Sequence, residues 1–300
     1  MWLLCEGDSD VPVLASVLTT VLDADIIPKP CGGSSGAASA AAYVARHHDV
    51  TAAYIVDRDY RRRAVADATY TDGRTGFMWR RHAMESYFLE PQVIAGALRQ
   101  LKTSVASAGG SGARWVAALP EDAAAIREGL RVCAAARAPQ EAARVTIERL
   151  WEDLSESAGR IQKRAPSLSE GMSPDATTCR QAVLDEGARL WAKAREASES
   201  PHLGPEALGR RYDETLATLS ASTYLDELKF TEEFNGRALL HVFLEWMGRE
   251  YKSRLTLKRF VSELERAVPT AYRSNRLLFR SDDFRDLANG VRALAGLPPV

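Results

Sequence analysis

The amino-acid sequence predicts an α/β fold: a parallel sheet with crossover helices, interrupted by a helical insertion and followed by C-terminal helices. Three observations predict it. Short apolar runs alternate with helix-period segments over the first hundred residues. Acidic clusters stand directly after two of those runs. From Pro120 to about residue 220, apolar residues recur at helical spacing.

Taken in order, Met1 to Cys5 reads as a buried strand, and Val11 to Leu22 as a helix with Val13, Leu14, Val17, Leu18, Val21 and Leu22 on one face. Pro12 stands at its front, where a missing N–H does no harm. Ile26 and Ile27 make a second short strand, ended by Pro28 and Pro30. Cys31 to Gly36 is a turn, Ala37 to His47 an alanine-rich helix, and Ala52 to Val56 a third strand. Residues 60–75 read as a polar loop, Gly76 to Trp79 as a fourth strand, and Met84 to Leu101 as a helix interrupted at Pro91. Residues 103–113 read as a flexible connection, with further loops at 165–175 and 197–206. Leu225 to Phe230 reads as a short strand. Asn235-Gly236-Arg237 is a turn into the helix Ala238 to Met247, and Leu257 to Val268 and Phe284 to Leu294 are the last helices. The strand–helix alternation demands parallel pairing with crossovers. Ligands of such sheets bind beyond the carboxyl ends of the strands.

Composition narrows the class. Of 300 residues, 46% are hydrophobic and 26% charged, which is a folding composition rather than a disordered one. No apolar run approaches the roughly 20 residues of a membrane span. Trp2 to Cys5 is too short for a secretory signal core, so no membrane and a cytoplasmic setting are expected. Cys5, Cys31, Cys133 and Cys179 are scattered, which excludes zinc-finger spacing. With 39 Lys and Arg against 40 Asp and Glu, the chain is no basic nucleic-acid coat, but phosphate binding depends on where the charge sits.

Two acidic motifs carry chemistry. Glu6-Gly7-Asp8-Ser9-Asp10 follows the first strand and Asp57-Arg58-Asp59 the third. Either alone would serve as helix capping or turn chemistry. Together, at the ends of parallel strands, they bring carboxylates to one rim, where they repel unless cations neutralise them. Hard oxygen donors suit Mg²⁺ or Mn²⁺. Two such ions about 4 Å apart can clamp the attacking and leaving oxygens of a phosphodiester. Arg61, Arg62 and Arg63 border this site and are read as phosphate contacts, as are Arg80 and Arg81. Trp79 is a candidate for base stacking. Cys31-Gly32-Gly33 is a plain turn or a phosphate cradle, His47-His48 a surface cap, and His82 with Glu85 a helical-face pair or a local hydrogen bond.

Leu3-Leu4-Cys5-Glu6-Gly7-Asp8-Ser9-Asp10, followed by Tyr54-Ile55-Val56-Asp57-Arg58-Asp59, resembles the Toprim domain, a Rossmann-like fold shared by topoisomerases, bacterial primases and OLD-type nucleases. Arg81 to Leu89 resembles the Glu-x-x-Tyr-Leu stretch of the OLD-like branch, which includes small Toprim subunits of bacterial defence systems. The resemblance implies a metal-dependent nuclease with Glu6, Asp10, Asp57, Asp59 and Glu85 as ligands of two Mg²⁺ or Mn²⁺ ions, and Glu6 also as general base. A basic residue in a late Gly-Lys turn of that branch falls at Gly236-Arg237, with Lys229 as the rival. It implies DNA or RNA, including tRNA, as substrate, and leaves a homo-oligomer open. The chain carries no Gly-x-x-x-x-Gly-Lys-Ser/Thr motif, so an ATPase would be a separate partner. The alternative is a non-catalytic or partner-activated nucleic-acid-binding subunit. The expected organisation is a Toprim core over 1–102, a helical insertion over 103–220, completion of the core over 221–250, and C-terminal helices over 251–300.

Overall fold

The computed structural model describes residues 1–70, 73–108, 113–158, 168, 172–194, 204–275, 279 and 282–300. The chain forms two compact units, one of residues 1–59, 63–130 and 235–300, the other of 60–62 and 131–234.

The first unit is a mixed α/β structure around four parallel strands, β1 (Trp2–Cys5), β2 (Ile27–Pro30), β3 (Ala52–Val56) and β4 (Gly76–Met78), in the order β2-β1-β3-β4. Helix α1 (Asp10–Leu14) continues as a π-helical segment (Ala15–Val21) between β1 and β2, and α2 (Ser34–His47) connects β2 to β3. Alanine-rich α2 lies close on one sheet face, with Ala41 against Leu4 and Ala52, and Ala37 against Val56 and Met78. The alternate residues Leu3, Cys5, Ala53 and Ile55 are fully buried, as are Val13, Leu14, Val17 and Leu18. A strand pattern of period two and a helix pattern of 3.6 therefore both end in the core.

Pro28 does not end β2 as expected but lies within it, while Pro30 is its last residue. Ile27 N–H donates to Met1 O and Cys31 N–H to Cys5 O, so the ladder uses alternate amides. Pro28 and Pro30 fall at the outward positions of this edge strand, where no donor is required. Their missing N–H groups also deprive a foreign strand of donors along that edge.

Residues 60–75 are not wholly loop: α3 (Arg63–Asp67) and a 3₁₀ turn (Ala68–Tyr70) precede β4. A 3₁₀ segment (Met84–Leu89) leads to α4 (Pro91–Ala108), which extends through most of the expected flexible connection. Helices α5 (Ala113–Ala117) and α6 (Ala123–Ala158) follow. The first unit is completed by α11 (Gly236–Tyr251), α12 (Leu257–Ser274) and α13 (Asp283–Leu294).

The second unit contains the distal part of α6 with α7 (Ala176–Ala194), α8 (Pro205–Ser220), α9 (Ser222–Asp226) and α10 (Phe230–Glu233). Fully buried Glu141 is held there by Arg137 (2.7 Å), Arg144 (3.3 Å) and the Tyr60 hydroxyl (2.8 Å). The expected strand at Leu225 to Phe230 is instead two short helices joined at Leu228, whose φ is 57°. A short apolar run has too little periodicity to tell helix from strand. Of the two loops expected at 165–175 and 197–206, residues 165–167, 169–171 and 197–203 lie outside the described residues.

Gly76 permits the packing of β4 on β3. A Cβ there would stand 2.3 Å from the Tyr54 ring. Gly76→Ala is expected to lower unfolding stability by about 1–3 kcal/mol, the usual effect of overpacking. Urea denaturation checks this, and Tyr54→Ala in the same chain should restore part of the loss.

Candidate metal centre

The strand order reverses between β1 and β3: the chain proceeds to β2 on one side of β1 and to β3 and β4 on the other. That reversal opens a crevice at the carboxyl ends of the two central strands. Glu6 directly follows β1 and Asp57 directly follows β3. The Glu6 carboxylate crosses the crevice and accepts the Asp57 N–H at 3.0 Å. Neighbouring turns are tied to the same rim: Gly33 N–H donates to Glu6 O at 3.1 Å and Trp79 N–H to Val56 O at 3.0 Å.

Asp10 opens α1, is 7% exposed, and accepts the Gly7 N–H at 3.2 Å. Asp59 takes a left-handed conformation (φ 53°) and donates its N–H to His82 O at 2.8 Å. Aspartate tolerates this region better than most residues, and here it turns the chain after the acidic pair. Glu85 is half-buried on the 3₁₀ segment beyond β4.

Glu6, Asp10, Glu85 and Asp59 each lie within electrostatic reach of Asp57, and Glu85 and Glu6 within reach of Asp10. Asp57 is pushed up to about 9, first by burial and then by Glu6, Asp10, Glu85 and Asp59. Asp10 is pushed up to about 6, again first by burial, with the Gly7 N–H opposing and Glu85 and Glu6 adding. Burial also pushes the Cys5 thiol up to about 12, so it stays protonated beside the rim.

The donors fit a hard dication, whose charge would relieve this repulsion. Among the described residues, no three His, Cys, Asp or Glu side chains group closely enough to hold one ion. Magnesium usually takes one or two carboxylates and fills its shell with water, so pairs drawn from this rim match its habits.

Arg237 is exposed on the first turn of α11, which Asn235 caps by accepting the Ala238 N–H at 2.9 Å. The helix start presses on the Glu85 segment: a Cβ at Gly236 would stand 2.6 Å from Ser86 N and 2.8 Å from the Glu85 carbonyl carbon. A cation at a helix N-terminus opposes the helix dipole, so Arg237 does not serve helix stability there. Lys229 belongs to the second unit, where it is exposed and paired with Glu227 at 2.8 Å.

The arginines divide. Arg61 and Arg62 belong to the second unit; Arg62 is exposed and paired with Glu152 and Asp153. Arg63 is exposed on α3, 3.8 Å from Asp67. The expectation that Arg80 and Arg81 contact phosphate is corrected. Arg81 is 1% exposed, bonded to Glu90, Ser86 O and Phe279 O, and stacked on Tyr87. Arg80 is bound by Asp67, Asp283 and Asp286 and lies over the Tyr70 ring. Both guanidiniums hold the framework around the β4 exit. Trp79 is likewise corrected from base stacking to core, 1% exposed between Tyr87 and Phe284. His47 and His48 are exposed and stack on Tyr43 and Trp2.

Glu265, on α12, is a residue the sequence reading missed. It is half-buried and feels the charge of Glu85. An acidic residue in an amphipathic C-terminal helix has no motif to mark it; only tertiary packing brings it here.

Comparison with protein-family models and with curated proteins finds no match.

In the unfolded chain Asp10 and Asp57 titrate near the ordinary aspartate value of about 3.9. The folded state therefore holds the extra protons between about pH 4 and pH 9, and the metal-free protein loses stability as pH rises through that window. Asp57→Asn is expected to raise metal-free stability at about pH 8 by roughly 1–3 kcal/mol and to remove any Mn²⁺-induced gain in Tm. Thermal melts at about pH 5 and pH 8, with and without Mn²⁺, check both signs.

Proposed function

We propose that the chain is a divalent-metal-dependent nuclease of the Toprim kind, on the OLD-like branch, hydrolysing phosphodiester bonds in DNA or RNA. The observation that supports it is the gathering of Glu6, Asp10, Asp57, Asp59 and Glu85 at the switch point of a parallel sheet, with Glu6 bonded to the backbone of Asp57. Mg²⁺ or Mn²⁺, as two ions, would be held by these carboxylates; such ions activate water and neutralise a phosphoryl group. Glu6, half-buried and aimed at the crevice, is the candidate to take the proton of the attacking water. Arg237 would place positive charge near the transferring phosphoryl group. Arg63, exposed on α3 of the same unit, is the candidate to hold a flanking phosphate.

Among the described residues, no helix is long and apolar enough to cross a membrane. A cytoplasmic effector of bacterial anti-phage defence, working with a separate ATPase and acting on DNA or RNA such as tRNA, is the setting that accords with the motif resemblance. The second reading is a partner-activated or non-catalytic nucleic-acid-binding subunit, which could also self-associate.

The test is cleavage of labelled DNA, RNA and tRNA with Mg²⁺ or Mn²⁺. The wild type should cut and chelator should stop it. Glu6→Ala should lose at least about a hundredfold in rate, in line with removal of a general base. Cleavage that survives Glu6→Ala would reject the assigned site. A wild type that binds strands without cutting would favour the second reading.

A further inference from the structure

A groove of about 360 Å³ beside the carboxylate rim plays no part in the chemistry above. Its walls are Pro12 and Ser16 on one side and Ser262, Glu265, Arg266 and Pro269 on the other. The four α12 residues are spaced i, i+3, i+4 and i+7 and so form one stripe. The opposite stripe, with Phe260, Leu264, Ala267 and Val268, is buried in the core. The first wall begins two residues after Asp10, on the same helix. Glu265 stands within electrostatic reach of Glu85. Helix α12 also packs against α1 and against the Met84–Leu89 segment, so the groove lies between elements that carry two of the rim carboxylates, Asp10 and Glu85.

Two backbone irregularities meet in this groove. Pro269 lies inside α12 and has no N–H, so the Glu265 carbonyl lacks its i+4 amide donor. Facing it, Ser16 lies in the π-helical segment that replaces the regular ladder of α1, with Leu22 N–H reaching Val17 O. Such segments occur frequently at functional sites. The lining residues therefore supply two hydroxyls, one carboxylate and one guanidinium, with exposed Pro12 and buried Pro269 beside them. Arg266 has a side chain 68% exposed, and its partner Glu263 is at 3.4 Å.

We propose that this groove holds the nucleotide adjoining the cleaved phosphodiester. Arg266 meets its outer phosphate, and Glu265 accepts a hydrogen bond from an exocyclic base amine. The volume falls in the range of small-ligand clefts. A guanidinium is the natural partner of a phosphate, and a carboxylate selects amino-bearing bases such as cytosine over thymine. The proposal rests on the nuclease reading and names the substrate feature that reading leaves open.

The test measures binding of fluorescent oligo-dC and oligo-dT to the full chain by anisotropy, with Ca²⁺ present, alongside Mg²⁺-dependent cleavage. Wild type should bind oligo-dC more tightly than oligo-dT. Arg266→Ala, a change at an exposed side chain, should weaken both by about tenfold. Glu265→Met should abolish the preference, and Ser262→Leu should weaken binding by filling the groove. If all three variants bind as wild type does while wild type still cuts, the groove assignment is overturned and the nuclease reading stands. If wild type shows these binding effects but cuts nothing, the nuclease reading falls and the groove remains a nucleotide site.

Discussion

The crowding of carboxylates at one partly buried rim is the constraint that the first unit has to meet. Five acidic side chains are brought to one rim, and the fold holds them there although the metal-free protein is less stable for it. Part of the compensation is local: Glu6 accepts from the Asp57 amide, Asp10 from the Gly7 amide, and the left-handed Asp59 donates its amide to His82 O. The remainder comes from a rigid surround. Arg81 pins the segment after β4 through a buried ion pair and Arg80 through partly buried ones, and α11 presses its first turn on the backbone of Glu85 and Ser86. Carboxylates held together by packing and backbone bonds are the arrangement that the proposed metal site requires.

Much of this was legible in the sequence. Ala52 to Val56 is a β-rich run followed by Asp57, and its strand bounds agree with the structure. The expectation that Glu6 and the Asp57–Asp59 pair meet at one rim follows from parallel pairing, since parallel strands put their carboxyl ends on one side. Strand order was not legible. Alternation of strands and helices leaves open whether β3 pairs with β1 or β2, and only tertiary packing decides that β1 and β3 are neighbours.

The arginines show the limit of reading charge from sequence. Arg80 and Arg81 neighbour an acidic site in the chain and read as phosphate contacts. Their partners Glu90, Asp283 and Asp286 lie 9, 203 and 206 residues away and no local pattern announces them. Pro28 and Pro30 err in the other direction. Proline reads as a strand terminator, yet at outward positions of an edge strand it costs no ladder bond. Glu265 and its groove are invisible for the same reason as the ion pairs: they exist only where α12 passes α1.

The central claim is that the Glu6–Asp57 rim binds divalent cations. The most direct test is a titration of Mn²⁺ into the full chain, followed by the loss of the free-ion electron paramagnetic resonance signal at about pH 8. The account predicts saturable binding that Glu6→Ala weakens by about tenfold or more and that excess Mg²⁺ displaces. Mn²⁺ that remains free with the wild type, or that binds Glu6→Ala equally well, would contradict it.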